Sequence, residues 1–298
     1  REPRTPALRL LAMQHVPEAP CHCQRRLVAR TPTRKAKSEL PVHQHAHALA
    51  QLAEEVSALR DEVLEVYRHV PPDMRDSATS LEIGEMYRYQ LFHHSELCQQ
   101  AIARREILEV IEPLLGADCH VISCTGWKNP TGRAATQHGL QWHIDGGPHV
   151  PRLKGTDWPA HIAYPVFVVA THIYLQDVRI EDGPTSCIPK SHTSGQAPPH
   201  EKAWASDLNH DGLTASHHLV KAGDVDFRVS DVWHRRWPPT QNSNGRLFVQ
   251  TNYGRRDIAQ RVLPTSEVNH ATHRSLNRAK DDRERRLLGL HPQGYFDA

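Results

Sequence analysis

Hydrophobic positions along the chain change rhythm twice. Residues 46–70 carry Leu49, Leu52, Val56, Leu59, Val63, Val66 and Tyr67 at spacings of three and four, with Glu54, Glu55, Arg60, Asp61 and Glu62 on the other face. That spacing predicts an amphipathic helix, and Pro71-Pro72 would stop it. A second helical run is expected over 94–115, from Leu97, Ile102, Ile107, Leu108, Ile111 and Leu115, closing on Gly116 as a C-cap and bracing a sheet. After 118, short apolar stretches alternate with Gly, Pro, Asn and Asp: "CHVISCTGW", "GLQWHID", "AYPVFVVATHIYLQDV", "TSCIPKSH", "HHLVKAGDVDFRV", "DVWHRRW" and "GRLFVQTNYGRR". Short strands between turn residues predict a mainly β protein, a sandwich or a barrel. "DDRERRLLGLHPQGYFDA" closes the chain as a short helix and tail.

Residues 1–40 lack this patterning. They are rich in Arg and Pro and poor in acids, and read as a disordered basic tail without function; an organelle-targeting segment has the same composition. The expected organisation is therefore a tail over 1–40 and one domain over 41–298, with a helical lead-in at 46–116, a β core at about 118–256, and a C-terminal helix. No run of about 18 apolar residues exists to span a membrane. A formal net charge of +2 argues against a dedicated nucleic-acid binder. The six cysteines show no repeated CxxC spacing, and Cys21-His22-Cys23 has no second pair at zinc-finger distance. Free thiols in a reducing cytoplasm are the expectation. Oligomeric state is not readable.

Candidate chemistry centres on "QWHIDGGPHV". Side chains two apart on a strand share a face, so His143 and Asp145 would point the same way, and Gly146-Gly147-Pro148 would end the strand. Two imidazoles and one carboxylate on one face of an ion make the facial triad of non-haem iron centres, with the opposite face open. In a chain of 23 histidines and 34 acidic residues, His-x-Asp alone is compatible with coincidence. A third ligand is required, and His234 in "GDVDFRVSDVWHRRW" is the candidate. Arg246 opens the strand "RLFVQTNY". Buried in a barrel, it needs an anionic partner, which a dicarboxylate would supply through a bidentate pair.

His143-x-Asp145, His234 and Arg246, in that order, resemble the iron and 2-oxoglutarate set of the phytanoyl-CoA dioxygenase family. "IYLQDVRIEDGPTSCIPKSH" (173–192) resembles that family's strand, turn and Pro-Gly-Ser-His stretch. "RYQLFHHSELCQQAIARREILEVIEPLLGADCHVIS" (88–123) resembles its helix and first core strand, and "RRLLGLHPQGYF" resembles the tails of bacterial members. The resemblance covers roughly 80–298. It implies a double-stranded β-helix (jelly roll) with Fe(II) held by His143, Asp145 and His234. It implies 2-oxoglutarate with its far carboxylate on Arg246, O2 as the oxidant, and release of succinate and CO2 as a small molecule is oxidised. A carboxylate at Asp145, where halogenating relatives carry Gly or Ala, favours hydroxylation, desaturation or ring formation.

There are departures. His172 stands where the enzyme that gives the family its name has a Trp touching 2-oxoglutarate; it is read either as a cosubstrate contact or as a satisfied barrel histidine, with Tyr174 and Gln176 on its face. Arg236 replaces a Ser that helps hold 2-oxoglutarate in some relatives. Lys190 replaces the Gly of Pro-Gly-Ser-His, leaving Pro189, Ser191 and His192 as structural residues. Gln250 and Asn252 share a strand face with Arg246 and Phe248. The stretch 149–164, with His149, Trp158, His161 and Tyr164, is expected to form a lid or substrate wall. Three other functions remain open at this level: a cupin-type metalloenzyme without 2-oxoglutarate, a non-catalytic jelly-roll binding protein, and a nucleic-acid arm in the basic tail.

Overall fold

The structure is a computed structural model that describes residues 42–71, 86–132, 139–156, 158–159, 161–259 and 273–292. The tail 1–40 with Cys21-His22-Cys23, Pro72, and the closing Gly294-Tyr295-Phe296 lie outside the described residues.

Helix α1 runs Val42–His69. Leu59, Val63, Val66 and Tyr67 are buried along one stripe, as the spacing predicts. Its last turn carries Arg68 and His69, which suit the negative end of the helix dipole. Pro71 then disfavours helical backbone at the residue before it.

The helix expected over 94–115 is three pieces instead: α2 (Leu91–His94), α3 (Glu96–Ile102) and α4 (Arg105–Leu115). Ser95 interrupts the run because its hydroxyl accepts from Cys98 N at 2.9 Å, an N-cap that starts a new helix. Arg104 interrupts it again with extended backbone, and its guanidinium reaches Glu55 on α1 at 2.9 Å. Gly116 ends α4 with φ 94°, its N–H bonded to Glu112 O, the cap that the sequence suggested. Ahead of α2 lies a strand, β1 (Met86–Tyr89), inside the stretch read as helical lead-in. Four residues are too few for periodicity to separate strand from helix.

The remaining strands are β2 (His120–Asn129), β3 (Val168–Tyr174), β4 (Thr185–Cys187), β5 (Ser216–His217), β6 (Val225–Val229), β7 (His234–Arg236) and β8 (Arg246–Gly254). They form two antiparallel sheets, one ordered β1-β2-β8-β3-β6 and one ordered β5-β4-β7. "GLQWHID" is not a strand; only His143 is bridged, to His234. Near the C-terminus, α5 (His273–Arg278), not expected, precedes α6 (Asp282–Leu287), which Asp281 caps by accepting from Glu284 N at 2.8 Å.

The larger sheet has two unlike faces. Val169, Ile173, Val225, Val229, Leu247, Val249 and Tyr253 pack on Leu59, Val63, Ile107, Ile111 and Leu287 of the helices. Gly126 lets that packing close: a Cβ there would meet Leu91 Cδ2 and the Tyr67 hydroxyl, each at 3.2 Å. The register places His172 opposite both Asp226 and Gln250, Arg228 opposite Ala170, and Asn129 opposite Arg246. Residues directly opposite share a face, so the second face is polar and charged. Among the described residues, no helix is long and apolar enough to cross a membrane.

Candidate metal centre

His143 and Asp145 lie on irregular backbone, yet that backbone is pinned. Buried Trp142 donates its indole N–H to Ala205 O at 2.7 Å and its backbone N–H to Ala203 O at 2.8 Å. His143 and His234 exchange backbone hydrogen bonds at 3.0 and 2.9 Å. Gly146 and Gly147 then turn the chain with φ values of 94° and 91°, where glycine carries no Cβ penalty. His234 opens β7, opposite Cys187 of β4. The two residues therefore converge through a bridge and a turn, not through the strand alternation that the spacing implied.

Both imidazoles are held in the same tautomer. His143 Nδ1 donates to Gln141 O at 2.7 Å, and His234 Nδ1 donates to Val232 O at 2.9 Å. Each Nε2 is left with its lone pair, the form a metal ligand needs. Asp145 Oδ1 lies 4.0 Å from His143 Nε2 and 3.6 Å from His234 Nε2. All three ligand atoms fall within 4.8 Å of one another, and among the described residues this is the one such group of three. A six-coordinate ion with bonds of about 2.1 Å sets neighbouring ligand atoms about 3 Å apart, a small inward movement from here. Burial, reinforced by His234, pushes His143 down to about 4, so it is neutral near pH 7. Burial opposes charge on Asp145, but His234 and Arg228 hold its carboxyl below the usual carboxylate range. Two imidazoles and one carboxylate fit a divalent first-row ion.

Arg246 is buried at the start of β8. Its Nε donates to Asn129 Oδ1 at 2.9 Å, its Nη1 approaches Thr185 Oγ1 at 3.5 Å, and its guanidinium lies 5.1 Å from the Phe248 ring centre. Thr185 also faces His172, at 3.4 Å from Nδ1. The His172 Nε2 accepts from Arg228 Nη1 at 3.0 Å, and burial with Arg228 alongside keeps this imidazole well below its ordinary value. Tyr174, on the same face, donates to Asp226 Oδ2 at 2.8 Å. Gln176 lies past the strand end and donates to Gly245 O at 2.8 Å.

Other expected positions fall as follows. Arg236 is buried opposite Thr185. Lys190 has φ 64°, the left-handed backbone that suits the glycine it replaces. Ser191 bonds Ile188 O and Trp233 N, both at 2.8 Å, and His192 is buried edge-on to Tyr164. Gln250 is half-buried, and Asn252 donates to Ser123 Oγ at 2.9 Å. The stretch 149–164 is clasped to Asp231, which accepts from His149 N and from the Tyr164 hydroxyl, each at 2.8 Å, and meets the His149 ring. Trp158 donates to Ile162 O at 2.5 Å, while His161, Leu153 and Ile162 are exposed.

A group that sequence reasoning did not single out lies between these parts. Asp226 accepts from the Tyr174 hydroxyl and from His218 Nδ1, both at 2.8 Å, and Arg228 Nη1 is 3.6 Å from its Oδ1. Burial opposes charge on His218, yet Cys187 and Asp226 push it up to about 10. The signal was present in "VDFRV", where charges at alternate positions of a strand share one face.

The model of the phytanoyl-CoA dioxygenase family matches residues 45–235, more than half of the chain. No curated protein matches. Among solved structures, HygX from Streptomyces hygroscopicus with nickel and 2-oxoglutarate bound is 18% identical, with 70% of this chain and 80% of that one covered and a TM-score of 0.50. The same enzyme has been solved with hygromycin B bound as well, also at a TM-score of 0.50. SnoN, a non-heme alpha ketoglutarate dependent epimerase from nogalamycin biosynthesis, is 16% identical, with 76% and 91% covered and a TM-score of 0.50. At these identities the likeness is one of fold.

Proposed function

The chain belongs to the phytanoyl-CoA dioxygenase family, and on that premise we propose that it is a non-haem Fe(II)- and 2-oxoglutarate-dependent dioxygenase that oxidises a small molecule. The observation that carries the reading is the convergence of two imidazole Nε2 atoms on one oxygen of Asp145, each imidazole fixed through Nδ1 by a backbone carbonyl. The two antiparallel sheets are read as the halves of a double-stranded β-helix. Fe(II), 2-oxoglutarate and O2 are the cofactors; iron held by these residues would supply the coupling of 2-oxoglutarate decarboxylation, to succinate and CO2, with oxidation of the substrate.

The chain's own residues have distinct tasks. His143, Asp145 and His234 hold the ion from one side and leave three positions open. Arg246, oriented by Asn129 and Thr185, takes the far carboxylate of 2-oxoglutarate through charge-assisted hydrogen bonds. The rings of His172 and Phe248, 4.5 Å apart, wall that seat against water. His172 contributes as a wall and as a partner of Arg228, since its Nε2 accepts where a cosubstrate contact would have to donate. The clasped stretch 149–164 forms the substrate wall beside the ligands. Asp145 fills the position that a halide would need, which favours hydroxylation, desaturation or ring formation. The structure of HygX with hygromycin B supports a small-molecule substrate of the natural-product kind.

Anaerobic titration with Fe(II) and 2-oxoglutarate tests this, through the visible charge-transfer band of the chelate. Wild type is expected to show the band, His143→Ala to lose it, and Arg246→Ala to need at least ~100-fold more 2-oxoglutarate, from a charged hydrogen-bonded pair of about 3 kcal/mol. A folded wild type without the band refutes the reading and leaves a cupin-type metalloenzyme or a binding protein.

A further inference from the structure

We propose that Arg228 is a positioning residue of the metal centre, which holds one oxygen of Asp145 so that the other serves as a one-oxygen ligand. The inference rests on the metal reading above and concerns how that centre keeps its open positions.

The geometry divides the Asp145 carboxylate. Its Oδ1 faces both imidazole Nε2 atoms, at 3.6 and 4.0 Å. Its Oδ2 is buried, makes no hydrogen bond, and lies 3.9 Å from Arg228 Nη2. The guanidinium is itself buried and is held from the far side. Its Nη1 donates to His172 Nε2 at 3.0 Å and lies 3.6 Å from Asp226 Oδ1. Asp226 in turn is fixed by the Tyr174 hydroxyl, by His218 and by the His172 backbone N–H at 3.2 Å. Arg228 thus stands between two carboxylates, with one nitrogen toward each.

The consequence is the number of positions left open. Three protein ligands leave three positions, enough for a two-point chelate and O2. A carboxylate that swung to bind through both oxygens would take one of those positions. A cation at Oδ2 opposes the swing, because the oxygen that would rotate toward the ion is the one the guanidinium attracts. Lysine would match the charge but not the shape, since a planar fork reaches Asp145 and the Asp226–His172 pair together and an ammonium does not. The competing account makes Arg228 only the counter-ion of Asp226, a structural role that would leave the metal centre unchanged.

Co(II) affinity, followed through the ion's visible bands, separates the two accounts in Arg228→Gln, Arg228→Lys and wild type. The expected result is a ~10–100-fold weaker Co(II) affinity in Arg228→Gln, the range for losing a residue that orients a ligand, and an intermediate loss in Arg228→Lys. Variants that unfold at lower temperature but keep wild-type affinity would overturn the proposal. Infrared difference spectra of Zn(II)-loaded minus apo wild type supply a readout that needs no variant to fold. A wide separation of the two carboxylate stretches marks one-oxygen binding, and a narrow, two-oxygen separation overturns the proposal. A wild type that binds neither ion overturns the centre itself, a different failure from equal binding by wild type and variants.

Discussion

Raising the pH from 7 to 9 should destabilise the metal-free protein by about 2.5 kcal/mol through His218 alone. Folding buries this imidazole, which opposes its charge, but sets it against Cys187 and against Asp226 at 2.8 Å, which together raise it to about 10, from an unfolded value of about 6.5. A proton bound more tightly in the folded state favours folding. The contribution is complete below pH 6.5, where both states are protonated, and it disappears as the pH rises through 10. Between those limits the native state holds one more proton than the unfolded chain, so stability falls by about 1.4 kcal/mol per pH unit, with both ends of the range rounded off. Urea unfolding of the apo protein at pH 7, 8 and 9 measures the slope, and His218→Gln supplies the comparison, because a neutral amide can still donate to Asp226. Titrations of lysines and of cysteines other than Cys187 are common to both proteins and cancel in the difference, while Cys187 is coupled to His218 and its part belongs to that difference. The wild-type curve should fall more steeply by about 2.5 kcal/mol over the two units. Parallel curves would refute the reasoning: His218 would then not be a buried imidazolium, and Arg228 would be left to neutralise Asp226 by itself.

Two further substitutions test the supports of the site. Gly245→Ala should lose about 2–4 kcal/mol in urea unfolding, because Gly245 has φ 75° and an added Cβ would meet the Asn129 carbonyl. It should also weaken 2-oxoglutarate binding, since Asn129 orients Arg246, and a variant as stable as wild type would contradict the packing. Asp231→Asn should release the stretch 149–164, since His149, Tyr164 and Ser230 all bond this carboxylate. Charged hydrogen bonds of about 1.5–3 kcal/mol predict roughly ten-fold or greater faster tryptic cleavage at Arg152 or Lys154 with Fe(II) affinity unchanged, and equal cleavage rates would show that the clasp does not hold the loop.

The parts of the fold that were legible in the sequence are those whose residues repeat. The stripe of α1 and the apolar cores of β2, β3, β6 and β8 are long enough for periodicity to register. Breaks set by one side chain were not legible: Ser95 caps a helix in the middle of an unbroken apolar rhythm, and Arg104 leaves the helix where its ion pair with Glu55 holds it. The candidate ligand set shows the same division. The residue types and their order pointed to His143, Asp145 and His234, which the structure places within ligand distance of one another. The geometric reason offered for them, a shared strand face, does not hold, because a two-residue backbone bridge and a glycine turn bring them together.

Asp226 and Arg228 went unread for a physical reason. Strands β3 and β6 are covered on both faces, by helices on one side and by the second sheet and its loops on the other. In such a strand burial does not alternate, so hydropathy carries no record of which face is which. Chemistry does alternate: Val225, Phe227 and Val229 face the helices, while Asp226 and Arg228 face His172 and Asp145. Removing a charge from water costs several kcal/mol unless a partner and hydrogen bonds compensate it. A charged residue between apolar neighbours, in a strand otherwise fit for a core, therefore implies a buried partner. In β6 two such residues stand two apart, with the first matched by His218 and the second turned toward Asp145, where the charge of a divalent ion would be felt.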